Sequence, residues 1–345
     1  MTPLISMETL IKMNLLRVGS TVESAEMKQA CVEIFMIESE AAAPILFPFV
    51  PIQPVELTID KDAQGVQVIY NKIPLAHEEA VQEYFNRLED IGVIEPMHGD
   101  LKFLSRVEVV PKDKGKKIRV VIDHRKANQA VERHFYPMPN RESLLAKLHG
   151  AKWFTKLDLK EAFHHILIHE NSRHVFGFMT KKGPRQFCRL PFGASIAPEV
   201  FQKSMDDIFR SCNSTLVYLD DILIYAPTKE ELWKNQAEVL KLIKHNNLTL
   251  NIEKCEYGVS TVTFLGAKIS ESGIDPDKDK ISAIVEFSIP TSIMELRSFL
   301  GLVTYIAPHI PNLATIADPL RILIKERPCS KHSEFKMCKS CWKFN

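Results

Sequence analysis

The sequence lacks any apolar run near the roughly 18 residues that a membrane-spanning helix needs, and its first residues lack the basic stretch and apolar core of a signal peptide. It also lacks a strong net charge. The formal value is +1, so any binding of nucleic acid must come from local basic patches. The seven cysteines follow no disulfide framework, which favours a reducing compartment. We therefore expect an intracellular protein that does not associate with a membrane.

The composition is that of an ordinary globular protein, with 45% hydrophobic and 25% charged residues. A chain of 345 residues is too long for one small core, so we expect two or three subdomains. Predicted strands and helices follow one another without a regular βαβ rhythm. This order favours an α+β fold over a doubly wound sheet.

Several segments have the spacing of helices or strands. A helix is predicted from Leu75, because apolar residues recur at helical spacing until Gly92 marks its end. A strand is predicted over 153–159, with Asp158 near its end. Further predictions are a helix with Val200, Phe201, Met205, Ile208 and Phe209 on one face, a helix with Leu232, Val239, Leu240 and Ile243, a strand pair over 261–269, and a helix with Ile293, Leu296, Leu300 and Val303.

One local basic patch lies between Asp100 and Ala130, where nine basic residues stand against four acidic ones, a surplus of five positive charges. Its centre, the Asp-Lys-Gly-Lys sequence at 113–116, is predicted as a hairpin turn between two strands. Such a patch is suited to nucleic-acid phosphates. The alternative is a solvated loop face, the commoner reading of a charge run alone.

Two adjacent acids, Asp220 and Asp221, interrupt an apolar run from 216 to 225, which predicts a β-hairpin with the acids at its tip. Taken alone, the pair also fits an ordinary hairpin turn. Asp158, at the end of another predicted strand, adds a third carboxylate. Three such acids could surround two divalent ions about 3.5–4 Å apart, the arrangement that performs phosphoryl transfer. Mg²⁺ suits this set, because each ion needs only one or two carboxylates.

Four motifs, in this order along the chain, resemble those of reverse transcriptases. They are Arg119-Val-Val-Ile-Asp-His-Arg-Lys-Ala-Asn128, Lys156-Leu-Asp-Leu-Lys-Glu-Ala-Phe-His164, Arg189-Leu-Pro-Phe-Gly-Ala-Ser-Ile-Ala-Pro198 and Val217-Tyr-Leu-Asp-Asp-Ile-Leu-Ile-Tyr225, the last of which contains the YxDD box. Downstream, Phe264-Leu-Gly266 and Glu295-Leu-Arg-Ser-Phe-Leu-Gly-Leu302 resemble the polymerase of Gypsy-type LTR retrotransposons, part of a Pol polyprotein. The resemblance covers roughly residues 72–326, and ordered motifs are more specific than any one alone.

The resemblance implies a right-hand polymerase with fingers, palm and thumb or connection subdomains. It implies that two Mg²⁺ ions, with Mn²⁺ as a substitute, are held by Asp158, Asp220 and Asp221. The residues implied to contact the incoming dNTP are Lys112, Arg119, Phe163 and Phe192, and those implied at the primer and template are Tyr218, Phe264, Leu265 and Gly266. An aromatic ring at Phe163 would collide with a 2′-hydroxyl, so deoxynucleotides would be preferred.

The same resemblance implies boundaries and partners. Residues 1–70 would be a poorly defined peripheral region, 71–228 fingers and palm, 229–326 the palm end with thumb or connection, and 327–345 a tail at the start of a missing ribonuclease H domain. The expected partners are an RNA or DNA template with its primer, and dNTPs. The expected location is the cytoplasm, with a virus-like particle or the nucleus as alternatives. The sequence does not indicate an oligomeric state.

The implied function is RNA-directed DNA synthesis by two-metal phosphoryl transfer. The alternative is an inactive or co-opted retrotransposon fragment that keeps the fold and the binding of nucleic acid. This alternative is favoured by the lack of an Asp-Thr/Ser-Gly protease box in the first 70 residues and by the missing ribonuclease H domain. An RNA-templated RNA polymerase is a third reading, which Phe163 disfavours. The segment His98–Ser105 also departs from the family, because it lacks the usual Ser-Pro pair.

Overall fold

The structure is a computed structural model that describes residues 52–60, 62–67, 73–99, 101–112, 117–133, 135–276 and 278–325. Its strands are β1 (Val66–Gln67), β2 (Ile94–Pro96), β3 (Phe103–Lys112), β4 (Lys117–Asp123), β5 (Trp153–Asp158), β6 (Gly177–Thr180), β7 (Gly183–Phe187), β8 (Thr215–Tyr218), β9 (Asp221–Ala226), β10 (Glu256–Val259), β11 (Thr261–Phe264), β12 (Ala267–Ser270) and β13 (Gly273–Pro276).

The helices are α1 (Leu75–Asp90), α2 (Arg125–Ala130), α3 (Arg141–Ala146), α4 (Glu170–Arg173), α5 (Ala197–Ile208), α6 (Lys229–His245), α7 (Lys278–Val285), α8 (Ile293–Tyr305) and α9 (Leu313–Lys325). Helices and mainly antiparallel sheets are combined, so the α+β class is confirmed. Within the described ranges, no helix is both long enough and apolar enough to cross a membrane. The chain forms two compact units, Met1–Ser260 and Thr261–Asn345.

The first unit contains a six-stranded sheet in the order β1-β3-β6-β7-β2, with β4 paired to β3. The predicted basic hairpin is confirmed as β3 and β4, while its turn at 113–116 lies outside the described residues. Side chains alternate between the two faces of a strand. One face of the hairpin packs on the core through Val107, Val109, Ile118, Val120 and Ile122. The opposite face carries Arg106, Val110, Arg119 and Val121, all of them exposed.

A second sheet of the first unit has four antiparallel strands in the order β10-β5-β9-β8. Its central strand β9 is buried on both faces, since Ile222, Leu223 and Ile224 are all 0% exposed. Helix α6 packs against β9 and β5, and helix α5 packs against β8. The apolar run that predicted the hairpin is therefore part of the core of this sheet, while Asp221 at the start of β9 is partly open to solvent.

Helices α1 and α6 form as predicted from their apolar periodicity. Helix α1 buries Val81, Phe85 and Leu88 and ends before Gly92, whose φ is 67°. In α6 the Thr228 side chain caps the first turn by accepting a hydrogen bond from the Glu231 N–H at 3.3 Å. The buried face of α6 also includes Gln236, a polar position that the predicted face left out.

The segment 52–67 is attached to the first unit at several points. Val55 forms a bridge with Ile168, and Ile59 forms one with Val131. Leu57 is buried, and its N–H donates to Ser172 Oγ at 2.9 Å. These described residues of the N-terminal region are therefore packed on the fold.

The second unit combines a three-stranded meander, β11-β12-β13, with helices α7, α8 and α9. The predicted strand pair is confirmed, with Phe264 opposite Ala267 across a two-residue turn. Helix α8 begins at a Ser292 cap and buries Leu296, Phe299 and Val303, so Phe299 joins two of the predicted positions. These side chains form a small core with Leu313, Ala317 and Leu320 of α9.

Candidate active site

The three predicted acids meet at one end of the two inner strands of the four-stranded sheet, where β5 ends and β9 begins. Asp158 ends β5 and Asp221 begins β9, and the register sets these two residues directly opposite each other. Facing residues in an antiparallel pair have Cβ atoms about 4.5–5.5 Å apart, on the same face. Asp220 lies in the turn between β8 and β9, and its carbonyl oxygen accepts the Leu159 N–H at 2.9 Å. Strand pairing thus gathers carboxylates that are distant in sequence.

Two lysines compensate part of this negative charge. Lys156 Nζ lies 3.1 Å from Asp221 Oδ1, and Lys254 Nζ lies 3.4 Å from Asp158 Oδ1. Partial burial raises the pKa of Asp220, and the charges of Asp221 and Asp158 raise it further. A bound cation would reduce the repulsion that remains among the three carboxylates.

The donor set fits Mg²⁺, because carboxylate oxygens are hard ligands and one or two of them suffice for each ion. Within the described part of the chain, no three acidic, histidine or cysteine side chains are already arranged as a metal cage. Two of the carboxylates face Lys156 and Lys254 instead. A bound cation would therefore compete with these two ammonium groups for the carboxylate oxygens.

Gln202 of helix α5 is a site residue that the sequence analysis missed. Its side chain is 0% exposed. Its Oε1 accepts the Leu219 N–H at 2.8 Å, and its Nε2 donates to the Val217 carbonyl oxygen at 3.1 Å. Both partners lie just before Asp220, so Gln202 ties the hairpin to the helix. The available signal was a polar residue beside Phe201 in the predicted apolar face.

Phe163 and Phe192, two of the predicted nucleotide contacts, lie next to each other. Their ring centroids are 5.1 Å apart, and Phe163 also meets Phe201 edge-on at 5.6 Å. Phe192 is 52% exposed, whereas Phe163 is half-buried. Phe163 lies in a 3₁₀ turn, Ala162–His165, that follows Asp158 closely. The turn after β5 and the loop after β7 thus bring together two aromatic rings, of which Phe192 is the more accessible.

The other two predicted nucleotide contacts lie on the β3–β4 hairpin. Arg119 is exposed and stands opposite Val110. Lys112 is two residues beyond Val110 on β3, so the alternation places its backbone position on the same hairpin face as Arg119. The side chain of Lys112 lies outside what the structure describes.

The predicted primer contacts divide between the two units. Tyr218 is half-buried and pairs with Asp221 across the hairpin in the first unit. Phe264, Leu265 and Gly266 belong to the second unit, where they form the end of β11 and the turn to β12. The Phe264 side chain is 0% exposed, whereas Leu265 and Gly266 in the turn are partly exposed.

Comparison with known proteins gives one family and a set of relatives. Residues 110–269 match the family "Reverse transcriptase (RNA-dependent DNA polymerase)". The chain is 38% identical over 268 residues to the "Retrovirus-related Pol polyprotein from transposon 297" of Drosophila melanogaster, which covers 75% of this chain and 25% of that protein. It is 32% identical over 327 residues to the "Transposon Tf2-3 polyprotein" of Schizosaccharomyces pombe, covering 93% and 24%. The chain thus spans about a quarter of these curated relatives.

Among solved structures, the chain resembles the foamy viral protease-reverse transcriptase. The structure with an RNA/DNA hybrid has a TM-score of 0.77 and 22% identity, over 93% of this chain and 43% of that one. A structure with dsDNA has a TM-score of 0.78 and 22% identity, over 93% and 66%. These likenesses confirm the right-hand polymerase fold. Residues 110–269 belong to the reverse transcriptase family, and the chain is a relative of the Pol polyproteins of LTR retrotransposons.

Proposed function

We propose that this chain is the polymerase part of a reverse transcriptase, which extends the 3′-hydroxyl of a primer with dNTPs and releases pyrophosphate. The observation that carries the proposal is the register that sets Asp158 opposite Asp221, with Asp220 on the adjoining turn. The similar foamy viral proteins were solved with an RNA/DNA hybrid or with dsDNA, which supports a primer–template as the partner.

Two Mg²⁺ ions, when bound, would lower the pKa of the attacking hydroxyl and offset charge on the leaving phosphate oxygens. The carboxylates of Asp158, Asp220 and Asp221 would hold them. Arg119, on the exposed face of the hairpin, would provide a permanent positive charge for the triphosphate. Phe163 and Phe192 would pack against the sugar and the nascent base pair. The bulk of Phe163 would exclude a 2′-hydroxyl.

A second candidate function is binding of nucleic acid without turnover. It is favoured by the ion pairs of Lys156 with Asp221 and of Lys254 with Asp158, which already offset part of the negative charge that metal ions would otherwise balance. Arg106 and Arg119, on the exposed face of the β3–β4 hairpin, would contact phosphates in either case.

Primer extension by the purified chain separates the two candidates. We expect Mg²⁺-dependent incorporation of dNTPs on both RNA and DNA templates, with binding of the same primer–template measured in parallel by fluorescence anisotropy. Binding without extension at any Mg²⁺ or Mn²⁺ concentration would establish the second candidate. Failure of both measurements would exclude both functions.

A further inference from the structure

A chain of side-chain hydrogen bonds leads from the surface of the first unit to the turn that carries the acids. Tyr136 Oη donates to Asp206 Oδ2 at 2.7 Å. Asp206 Oδ1 accepts from Gln202 Nε2 at 2.9 Å, one helical turn away on α5. Gln202 then reaches Val217 and Leu219 through the two hydrogen bonds described above.

The contacts of Gln202 define the orientation of its amide. The amide nitrogen faces a carboxylate and a carbonyl oxygen, which only accept hydrogen bonds, and the amide oxygen faces an N–H, which only donates. The reversed amide would turn its oxygen toward two acceptors and lose all three bonds. Because Gln202 is fully buried, each loss would leave a polar group without water to replace its partner.

The turn needs this support because of its backbone. Leu219 has a φ of 51°, in the left-handed region that non-glycine residues seldom adopt. The Gln202 bond is made to the N–H of this same residue, directly before Asp220. Asp206, as an acceptor with formal negative charge, strengthens the hydrogen bonds from both Gln202 and Tyr136. The hydrogen bond to Asp206 raises the pKa of Tyr136 to about 12.

We propose that Tyr136, Asp206 and Gln202 are positioning residues, which hold the Leu219–Asp220 turn in the conformation that presents Asp220 and Asp221 to divalent cations. The proposal rests on the proposed function for its purpose. Its physical content, an ordered turn and tighter cation binding, is independent of polymerase activity.

Gln202→Met tests the network, because methionine has a similar length and volume but forms none of the three hydrogen bonds. The matched control is Gln236→Met. Gln236 is also a buried glutamine on a helix over the same sheet, and its Oε1 accepts from Thr155 Oγ1 at 2.8 Å, three residues before Asp158 on β5. The probe is Mn²⁺, with binding measured by electron paramagnetic resonance in the absence of nucleic acid. Hydrogen exchange of a peptide covering 215–225 reports on the turn.

We expect Gln202→Met to weaken Mn²⁺ binding by roughly 10–100-fold, the usual loss when a support of a metal ligand is removed. Exchange in the peptide should become faster, and Gln236→Met should change neither quantity at equal thermal stability. Equal effects of the two variants, or no effect of Gln202→Met, would overturn the proposal.

Tyr136→Phe tests the end of the hydrogen-bond network that lies farthest from the turn. Because it is a milder change, it also serves if Gln202→Met fails to fold. It removes only the phenol hydroxyl, and we expect a smaller loss of Mn²⁺ affinity in the same direction. Asp206→Ala should lower the affinity more than Asp206→Asn, since asparagine retains an oxygen for Gln202. If both Tyr136→Phe and Asp206→Ala bound Mn²⁺ as tightly as wild type, the positioning role of Tyr136 and Asp206 would be overturned. A wild-type chain that binds Mn²⁺ but extends no primer would contradict the proposed polymerase and leave this result intact.

Discussion

Two hairpin turns of this protein have the same length and are supported in different ways. The turn Leu219–Asp220 joins β8 to β9, and the turn Leu265–Gly266 joins β11 to β12. Each begins with a leucine of positive φ, 51° and 49° respectively. The first is held by Gln202 of a helix, and the second by Tyr305, whose Oη donates to the Leu265 carbonyl oxygen at 2.9 Å.

The difference lies in the second residue of each turn. Gly266 also has a positive φ, 70°, as in a type I′ turn, and a Cβ there would lie 1.7 Å from Tyr305 Oη. The first turn has Asp220 in the equivalent place, beside Asp221. In the second turn, the glycine at position 266 accommodates a positive φ without strain. The first turn instead carries adjacent acidic groups that repel each other. We infer that the first turn is built for a ligand and the second for close packing.

The largest expected effect comes from the acids of the first turn. Asp220→Asn removes one carboxylate from the metal-binding set, and we expect primer extension to fall by about 10³-fold or more, on the order of 4 kcal/mol in activation free energy. The control is Asp207→Asn, an exposed acid of α5 that pairs with Arg210. Extension rates at saturating dNTP measure both variants. Equal rates for Asp220→Asn and wild type would remove this turn from the chemistry.

The units that contain the two turns should also differ in acid stability. Burial lowers the pKa of His124 and His165 in the first unit to about 4. Well above pH 6.5 both histidines are neutral in the folded and unfolded states, so they do not change the free energy of unfolding. Between pH 6.5 and 4 only the unfolded chain binds their protons, so stability falls as the pH falls. Among the described residues of the second unit, only Glu295 has a shifted pKa, and it is exposed.

We expect the two histidines together to lower the stability of the first unit by about 2–3 kcal/mol between pH 7 and 5.5, with a much smaller change in the second. Hydrogen exchange of peptides from each unit at pH 7, 5.5 and 4 measures the two separately. His124 packs edge-on against Phe176 and Phe187, so His124→Phe should reduce the acid loss. An identical pH dependence in both units would contradict the comparison.

Gly266→Ala tests the packing role of the second turn. The added Cβ meets the hydroxyl of Tyr305 on a backbone that alanine rarely adopts, and we expect the second unit to lose about 2–3 kcal/mol of stability. Gly273→Ala is the matched control, because Gly273 has a φ of 131° but nothing lies within 4 Å of its added Cβ. Denaturant unfolding compares the two. A smaller loss for Gly266→Ala than for Gly273→Ala would show that the Tyr305 contact is unimportant.

Phe163→Val tests whether substrate selection belongs to the surroundings of the first turn. Removal of the ring should relax discrimination against ribonucleotides by about 10–100-fold, or roughly 1.4–2.7 kcal/mol. The ratio of kcat/KM for a dNTP and its rNTP measures this effect. Phe135→Val, at a ring that is 87% exposed, serves as the control. An unchanged ratio in Phe163→Val would leave Phe163 as a packing residue.

Local patterns in the sequence correctly predicted several helices and strands of the fold. The hairpin of β8 and β9, helix α1 and the strand pair β11 and β12 were predicted because each is defined by its own periodicity and turn residues. The position of Asp158 opposite Asp221 depends on pairing between distant strands. Periodicity alone cannot give that register, and the family resemblance implied only that these acids share one metal site.

The role of Gln202 and the burial of Phe264 could not be predicted from the sequence, because both depend on tertiary contacts. Gln202 looks like a polar interruption of an apolar helical face, and its role exists only once α5 packs beside the hairpin. Phe264 looks like a primer contact by resemblance, yet its ring is fully buried. In both cases the outcome depends on which neighbour the tertiary fold brings to the side chain.

The smallest expected effect is that of Tyr305→Phe, which removes the hydrogen bond to Leu265 and leaves the ring in place. We expect a loss of about 1 kcal/mol in the second unit, the usual net value of one hydrogen bond. Tyr225→Phe is the control, because the Tyr225 hydroxyl lies 3.5 Å from the Asn213 oxygen, too far for a strong bond. Mn²⁺ binding should be unchanged in Tyr305→Phe, in contrast to Gln202→Met. If Tyr305→Phe weakened Mn²⁺ binding as Gln202→Met should, the second turn could not be assigned to packing alone, since its support would then also control the affinity for cations.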